Sequence, residues 1–122
     1  MTELQSKRKT RKKQTAEDFT PEPLVNEMLD KLPQEVWNDP NKTFLDNSAG
    51  NGNFLVAILQ RKLSLGHDPL IALSTIYGVE LMPDNVEEMK DRLLAELPHL
   101  SSEQIKKARK IIDHNIVCHD AL

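Results

Sequence analysis

The stretch that most constrains this chain runs from Thr43 to Phe54, Thr-Phe-Leu-Asp-Asn-Ser-Ala-Gly-Asn-Gly-Asn-Phe. A short apolar run, Phe44-Leu45, breaks into small polar residues around Gly50 and Gly52. It leaves as an apolar helix through Phe54, Leu55, Val56, Ala57, Ile58 and Leu59. The pattern predicts a strand, a tight glycine loop and a helix, the unit from which α/β proteins build small-molecule sites. Glycines one residue apart let the backbone take positive φ and let a ligand approach closely. Asp46, closing the strand, brings a carboxylate to the same place.

The 122 residues suit one domain with one core. No apolar run is long enough to cross a bilayer, and no apolar segment follows the charged N-terminus as a secretory signal requires. The single cysteine, Cys118, cannot form an internal disulfide, which fits a reducing cytoplasm. The net charge of -3 conceals an asymmetry: residues 1–14 hold six basic side chains, Lys7, Arg8, Lys9, Arg11, Lys12 and Lys13, against one acid, Glu3. Residues 1–15 therefore read as a basic flexible arm able to contact DNA phosphates, with a merely solvated tail as the plain alternative. Residues 16–122 form the predicted domain.

Within it, Thr20 is expected to cap a helix from about Glu22 to Leu32, with Pro21 at its first position. Residues 33–42 are expected as a loop, with Trp37 as a packing anchor. The helix after the glycine loop should run from about Asn53 to Leu65, capped by Asn51 or Asn53 and closed by Gly66. A short helix after Asp68-Pro69, a strand over 74–81, and a helix from Val86 to Leu97 come next. Then follow a helix opened by a Ser101/Gln104 capping box and a third strand over 115–120. Helices alternating with short buried strands predict a parallel sheet.

All three predicted strands end in an acid: Asp46, Glu80 and Asp120. Ligands of open parallel sheets bind outside the carboxyl ends of the strands, so the three acids should share one crevice. An acid ending the second strand suits the hydroxyls of a ribose. The loop lacks the third glycine of a dinucleotide fingerprint and the Gly-Lys-Ser/Thr of a phosphate loop, and Asp46 would repel a pyrophosphate. A cationic or zwitterionic nucleoside such as S-adenosylmethionine fits better.

Four segments resemble the N6-adenine-specific DNA methyltransferases, in particular the modification subunits of type I restriction-modification systems. Phe19-Thr20-Pro21 is similar to their Tyr/Phe-Thr-Pro segment. Asp46 through Phe54 resembles their Asp-Pro-Ala-Cys-Gly-Ser-Gly-x-Phe loop, with Asn47-Ser48 as the departure. Ile76–Leu81 resembles the strand whose acid binds the cofactor ribose, and Asn115–Leu122 the strand whose Asp contacts the adenine amino group. The resemblance implies a Rossmann-like methyltransferase fold with a partial parallel sheet. It also implies an S-adenosylmethionine site at Phe19, Thr20, Pro21, Asp46, Ser48, Ala49, Gly50, Gly52, Asn53, Phe54, Glu80, Leu81, Asp120 and Ala121. The family's Asn/Asp-Pro-Pro-Tyr/Phe catalytic tetrapeptide does not occur in these 122 residues. The expectation is therefore a cofactor-holding part, inactive alone, whose open sheet edge meets a partner subunit or a second copy. The alternative is a non-catalytic protein that keeps the cofactor-binding fold or mimics a methyltransferase. An oxidoreductase fragment is disfavoured by the missing glycine.

Overall fold

The computed structural model describes residues 19–120; the basic arm Lys7–Lys13 and Ala121 lie outside the described residues. The chain alternates helices and strands in the order α1 (Glu22–Leu29), α2 (Gln34–Asn38), β1 (Phe44–Asp46), α3 (Asn53–Ser64), α4 (Pro69–Ser74), β2 (Ile76–Glu80), α5 (Pro83–Ala95), α6 (Ser102–Asn115) and β3 (Ile116–Cys118). The strands form a parallel sheet in the order β1-β2-β3. Phe44 pairs with Ile76 and Asp46 with Gly78; Gly78 then pairs with Ile116 and Glu80 with Cys118. This is the expected α/β architecture: a small parallel sheet with flanking helices.

The core lies between the sheet and helices α3 and α5. Leu55, Val56, Ala57, Ile58 and Leu59 of α3 are all buried, as a helix enclosed on nearly every side requires. Val86, Met89 and Leu93 form the buried stripe of α5. Gly78 makes the close packing possible. A Cβ there would come within 2.6 Å of Leu55 Cδ1 and 3.3 Å of the Met89 sulfur. Trp37 is 5% exposed and stacks on Phe44 with ring centroids 5.3 Å apart, the anchor role expected of it.

Several boundaries differ from expectation. The cap of α1 is Pro21, with no side-chain cap, and the Thr20 carbonyl accepts from the Asn53 side chain at 2.7 Å. The helix ends at Leu29, and Lys31 and Leu32 continue only as a turn. Residues 34–38, expected as loop, form α2, which carries Trp37 into the core. Gly52, not Asn51 or Asn53, caps α3, at φ 92°. At the other end, Gly66 has φ 85°. Its N–H and that of His67 return to the carbonyls of Leu63 and Lys62, closing the helix as expected. β2 begins only at Ile76 because Ser74 is still helical. α5 starts at Pro83, a turn before Val86. The capping box forms: Ser101 accepts from the Gln104 N–H while the Gln104 side chain accepts from the Ser101 N–H. β3 covers only Ile116–Cys118, since Asn115 ends α6 and donates to the carbonyls of Leu73 and Ser74.

At the foot of the sheet sits Lys62, fully buried. Its ammonium donates to the Lys42 carbonyl at 2.7 Å and to Thr75 Oγ1 at 2.6 Å, and it lies 5.1 Å from the Phe44 ring centroid. Burial holds its pKa below the ordinary lysine value, with Asp39 pulling weakly the other way. The residues just before β1 and β2 are thereby tied to α3 through one side chain. Among the described residues, no helix is long and apolar enough to cross a membrane.

Candidate functional site

The site forms where β1 and β2 end. Asp46 closes β1 and turns Oδ1 back to accept from the Ser48 N–H at 3.0 Å, an Asx turn that starts the loop. The Ala49 N–H donates to the Val79 carbonyl at 3.0 Å, and the Gly52 N–H to the Ala49 carbonyl at 2.9 Å. The Gly50 N–H donates to Glu80 Oε1 at 3.2 Å. The loop thus hangs on the end of the neighbouring strand. Gly50 needs its missing side chain twice over: φ is +56°, and a Cβ would meet Phe19 Cδ1 at 2.9 Å. Gly52, at φ +92°, would place a Cβ 2.7 Å from Met89 Cγ.

Two further contacts fix the loop from the sides. Arg92 of α5 donates to the Asn51 carbonyl at 3.0 Å and to Asn53 Oδ1 at 2.7 Å. Asn53 passes the connection on to the Thr20 carbonyl. Arg92 was not legible as a site residue. It lies 39 residues from Asn53 in sequence, and an arginine on an amphipathic helix carries no local mark of its partner. Asn85 was missed as well. Its side chain donates to Glu80 Oε2 at 2.9 Å, beside the Met82 N–H at 3.2 Å. Its position one turn past a strand-ending acid was the available signal.

Of the expected residues, Phe19, Thr20, Asp46, Ser48, Ala49, Gly50, Asn53 and Phe54 line one cleft of about 130 Å³, with Asn51. Glu80 adjoins it through its bond to Gly50. Pro21 stands behind it as the cap of α1, and Gly52 is turned toward Met89. Leu81 is exposed just past β2, its carbonyl accepting from Cys118 Sγ at 3.4 Å. Asp120 is exposed two residues beyond β3, at the same end of the sheet, where the His119 N–H donates to the Glu80 carbonyl at 3.0 Å. The structure therefore gathers the loop, Phe19-Thr20 and Glu80, and leaves Leu81 and Asp120 on the rim beyond β2 and β3.

The electrostatics of the cleft follow from this wiring. The N–H groups of Ser48, Ala49, Gly50 and Gly52, which in a phosphate loop would face the ligand, are all consumed by the protein. Asp46 and Glu80 present carboxylates at the same place. Asn51 Oδ1 is buried without a hydrogen-bond partner, so the cleft holds an acceptor in want of a donor. Such a site is built for a ligand that donates hydrogen bonds or carries positive charge. Its volume falls below the roughly 300–1,000 Å³ of a complete small-molecule pocket. It suits one end of an elongated ligand whose remainder runs along the strand ends. Among the described residues, no group of His, Cys, Asp and Glu side chains is arranged to hold a metal ion.

Comparison with known proteins gave no matching family model, curated protein or solved structure.

Proposed function

We propose that this chain is the S-adenosylmethionine-binding part of an N6-adenine DNA methyltransferase of the restriction-modification type, built on a Rossmann-like fold. One observation carries the reading. The glycine loop spends the N–H groups of Ser48, Ala49, Gly50 and Gly52 internally, and its ligand meets the Asp46 carboxylate, the unpaired Asn51 oxygen and, adjoining them at the end of β2, the Glu80 carboxylate. That set repels phosphate and accepts an ammonium group and sugar hydroxyls. The residues fit the cofactor: Asp46 and Asn51 would hold its ammonium group beside Phe19 and Thr20. Glu80 would accept from the ribose, on the capacity left after its three protein donors. By the resemblance, Asp120 would take the adenine amino group. When bound, S-adenosylmethionine supplies an activated methyl group.

The protein's own contribution is to orient. Arg92, Asn53 and Thr20 fix the loop against α1, and Glu80 fixes it against β2. The basic arm Lys7–Lys13 supplies charges for DNA phosphates, and a single, unpaired cysteine, Cys118, fits a reducing cytoplasm. Since no Asn/Asp-Pro-Pro-Tyr/Phe segment occurs in these residues, the acceptor adenine must be presented by another polypeptide segment. Calorimetric titration with S-adenosylmethionine tests the reading. Binding that Asp46→Asn weakens is expected; no heat at high protein concentration would overturn it. Methyl transfer to DNA by the chain alone is expected to be undetectable.

A further inference from the structure

A parallel sheet is normally covered on both faces. Here, among the described residues, one face is packed and the other is bare. Residues paired across parallel strands point to the same side. The register therefore puts Gly78, Ile76 and Ile116 on the face that meets α3 and α5. Leu45, Tyr77, Val79 and Val117 fall on the opposite face. Leu45 is 68% exposed, and Tyr77 and Val117 are also exposed. Among the described residues, β1 pairs only with β2, so its outer edge is open as well.

The same chain carries a complementary surface. Helix α1 buries Val25 and Leu29 as it packs along α3. Leu24 and Met28 of α1, with Leu32 in the turn that follows it, form a second apolar stripe turned to solvent. The described residues therefore hold a helix stripe without a sheet and a sheet face without a helix. We infer that two copies of this chain associate reciprocally about a two-fold axis, α1 of each lying on the bare face of β1, β2 and β3 of the other.

An isologous pairing of this kind satisfies both surfaces at once and closes without leaving either repeated at an open end. The six side chains Leu24, Met28, Leu32, Leu45, Tyr77 and Val117 are each between 37% and 68% exposed. A standard interface buries about 800 Å² per partner, and an apolar core of this composition within a polar rim is its usual anatomy. The inference is independent of the proposed cofactor, since none of the six lines the glycine-loop cleft.

Sedimentation or light scattering of the full chain across a wide concentration range should show a dimer. Met28→Lys and Leu45→Glu should each weaken it about tenfold or more, as loss of a central apolar anchor does, with unchanged circular dichroism. Mixing them then tests the reciprocity. Each variant homodimer has a charge in both of its helix-on-sheet contacts. The mixed dimer gathers Lys and Glu into one contact and leaves the other intact, so an equimolar mixture should recover the dimer. Should Leu45→Glu disturb folding, Val117→Glu on the same face takes its place. A wild-type chain that stays monomeric at the highest concentration overturns the proposal, even if it captures some other protein. So does a mixture no better associated than its components, which would indicate helix-on-helix and sheet-on-sheet contacts instead.

Discussion

Arg92 donates to Asn53 Oδ1 at 2.7 Å, and this one bond joins α5 to the start of α3 across the glycine loop. Its other acceptor, the Asn51 carbonyl, belongs to the loop itself. Replacing Arg92 with Ala leaves two part-buried acceptors short of a charged donor. A stability loss of about 1–3 kcal/mol is expected, together with weaker binding of S-adenosylmethionine. Thermal unfolding and calorimetric titration of the same variant read the two effects. Unchanged affinity in a destabilised protein would confine Arg92 to a structural role.

The two acids of the loop should behave differently. Glu80 accepts from the Gly50 and Met82 N–H groups and from Asn85, so Glu80→Gln puts an amide NH₂ among donors. It should cost about 1–3 kcal/mol of stability as well as affinity. Asp46 accepts only a local bond from Ser48 among those described above, and Asp46→Asn retains the acceptor while removing the charge. Affinity for S-adenosylmethionine should fall by about tenfold, with stability within ~0.5 kcal/mol of wild type. Equal losses of folding and binding in Asp46→Asn would argue against a ligand role.

Lys62 makes the stability pH-dependent. Its folded pKa lies below the ordinary lysine value, so between the two values the unfolded chain holds more protons than the folded one. The stability contribution therefore rises with pH across that window, and the full cost of the buried charge is present below the folded pKa. Lys62→Met should flatten this alkaline rise in denaturant titrations while keeping most of the packing volume. Lys62→Ala should instead lose about 2–4 kcal/mol through the cavity it leaves. A rise that persists in Lys62→Met would assign it to another group.

Two glycines with positive φ separate strain from crowding. Gly66 has open space around its missing Cβ, so Gly66→Ala should cost only the left-handed strain, about 1–2 kcal/mol. Gly52→Ala adds a 2.7 Å encounter with Met89 and should cost more, about 2–4 kcal/mol. Unfolding midpoints of the pair test the order, and equal values would mean that Met89 simply moves aside.

Element order, the parallel sheet, the glycine loop and the clustering of most expected site residues were legible because each has a local cause. Glycine spacing, capping boxes and apolar runs act over a few residues. What escaped depends on distant partners. Thr20 was expected to cap α1, where Pro21 stands, and the Thr20 carbonyl holds Asn53, 33 residues away. Lys62 reads as an ordinary surface lysine late in a helix, and only the meeting of Lys42, Thr75 and Phe44 around it makes an interior place for an ammonium group. Asp120 was expected within a strand that ends two residues earlier, at Cys118, and whose start follows Asn115, held at the end of α6 by the carbonyls of Leu73 and Ser74. These hydrogen bonds join residues far apart in the chain, and no window of sequence contains both ends of them.

The enclosed amine at the foot of the sheet has one more consequence. A water-soluble acylating reagent reacts with uncharged, accessible amines, and Lys62 is screened from solvent on every side. Its modification must wait until α3 lifts from the residues just before β1 and β2. The rate at which this one lysine is acylated, set against the other lysines of the chain, therefore clocks the opening of the sheet from within.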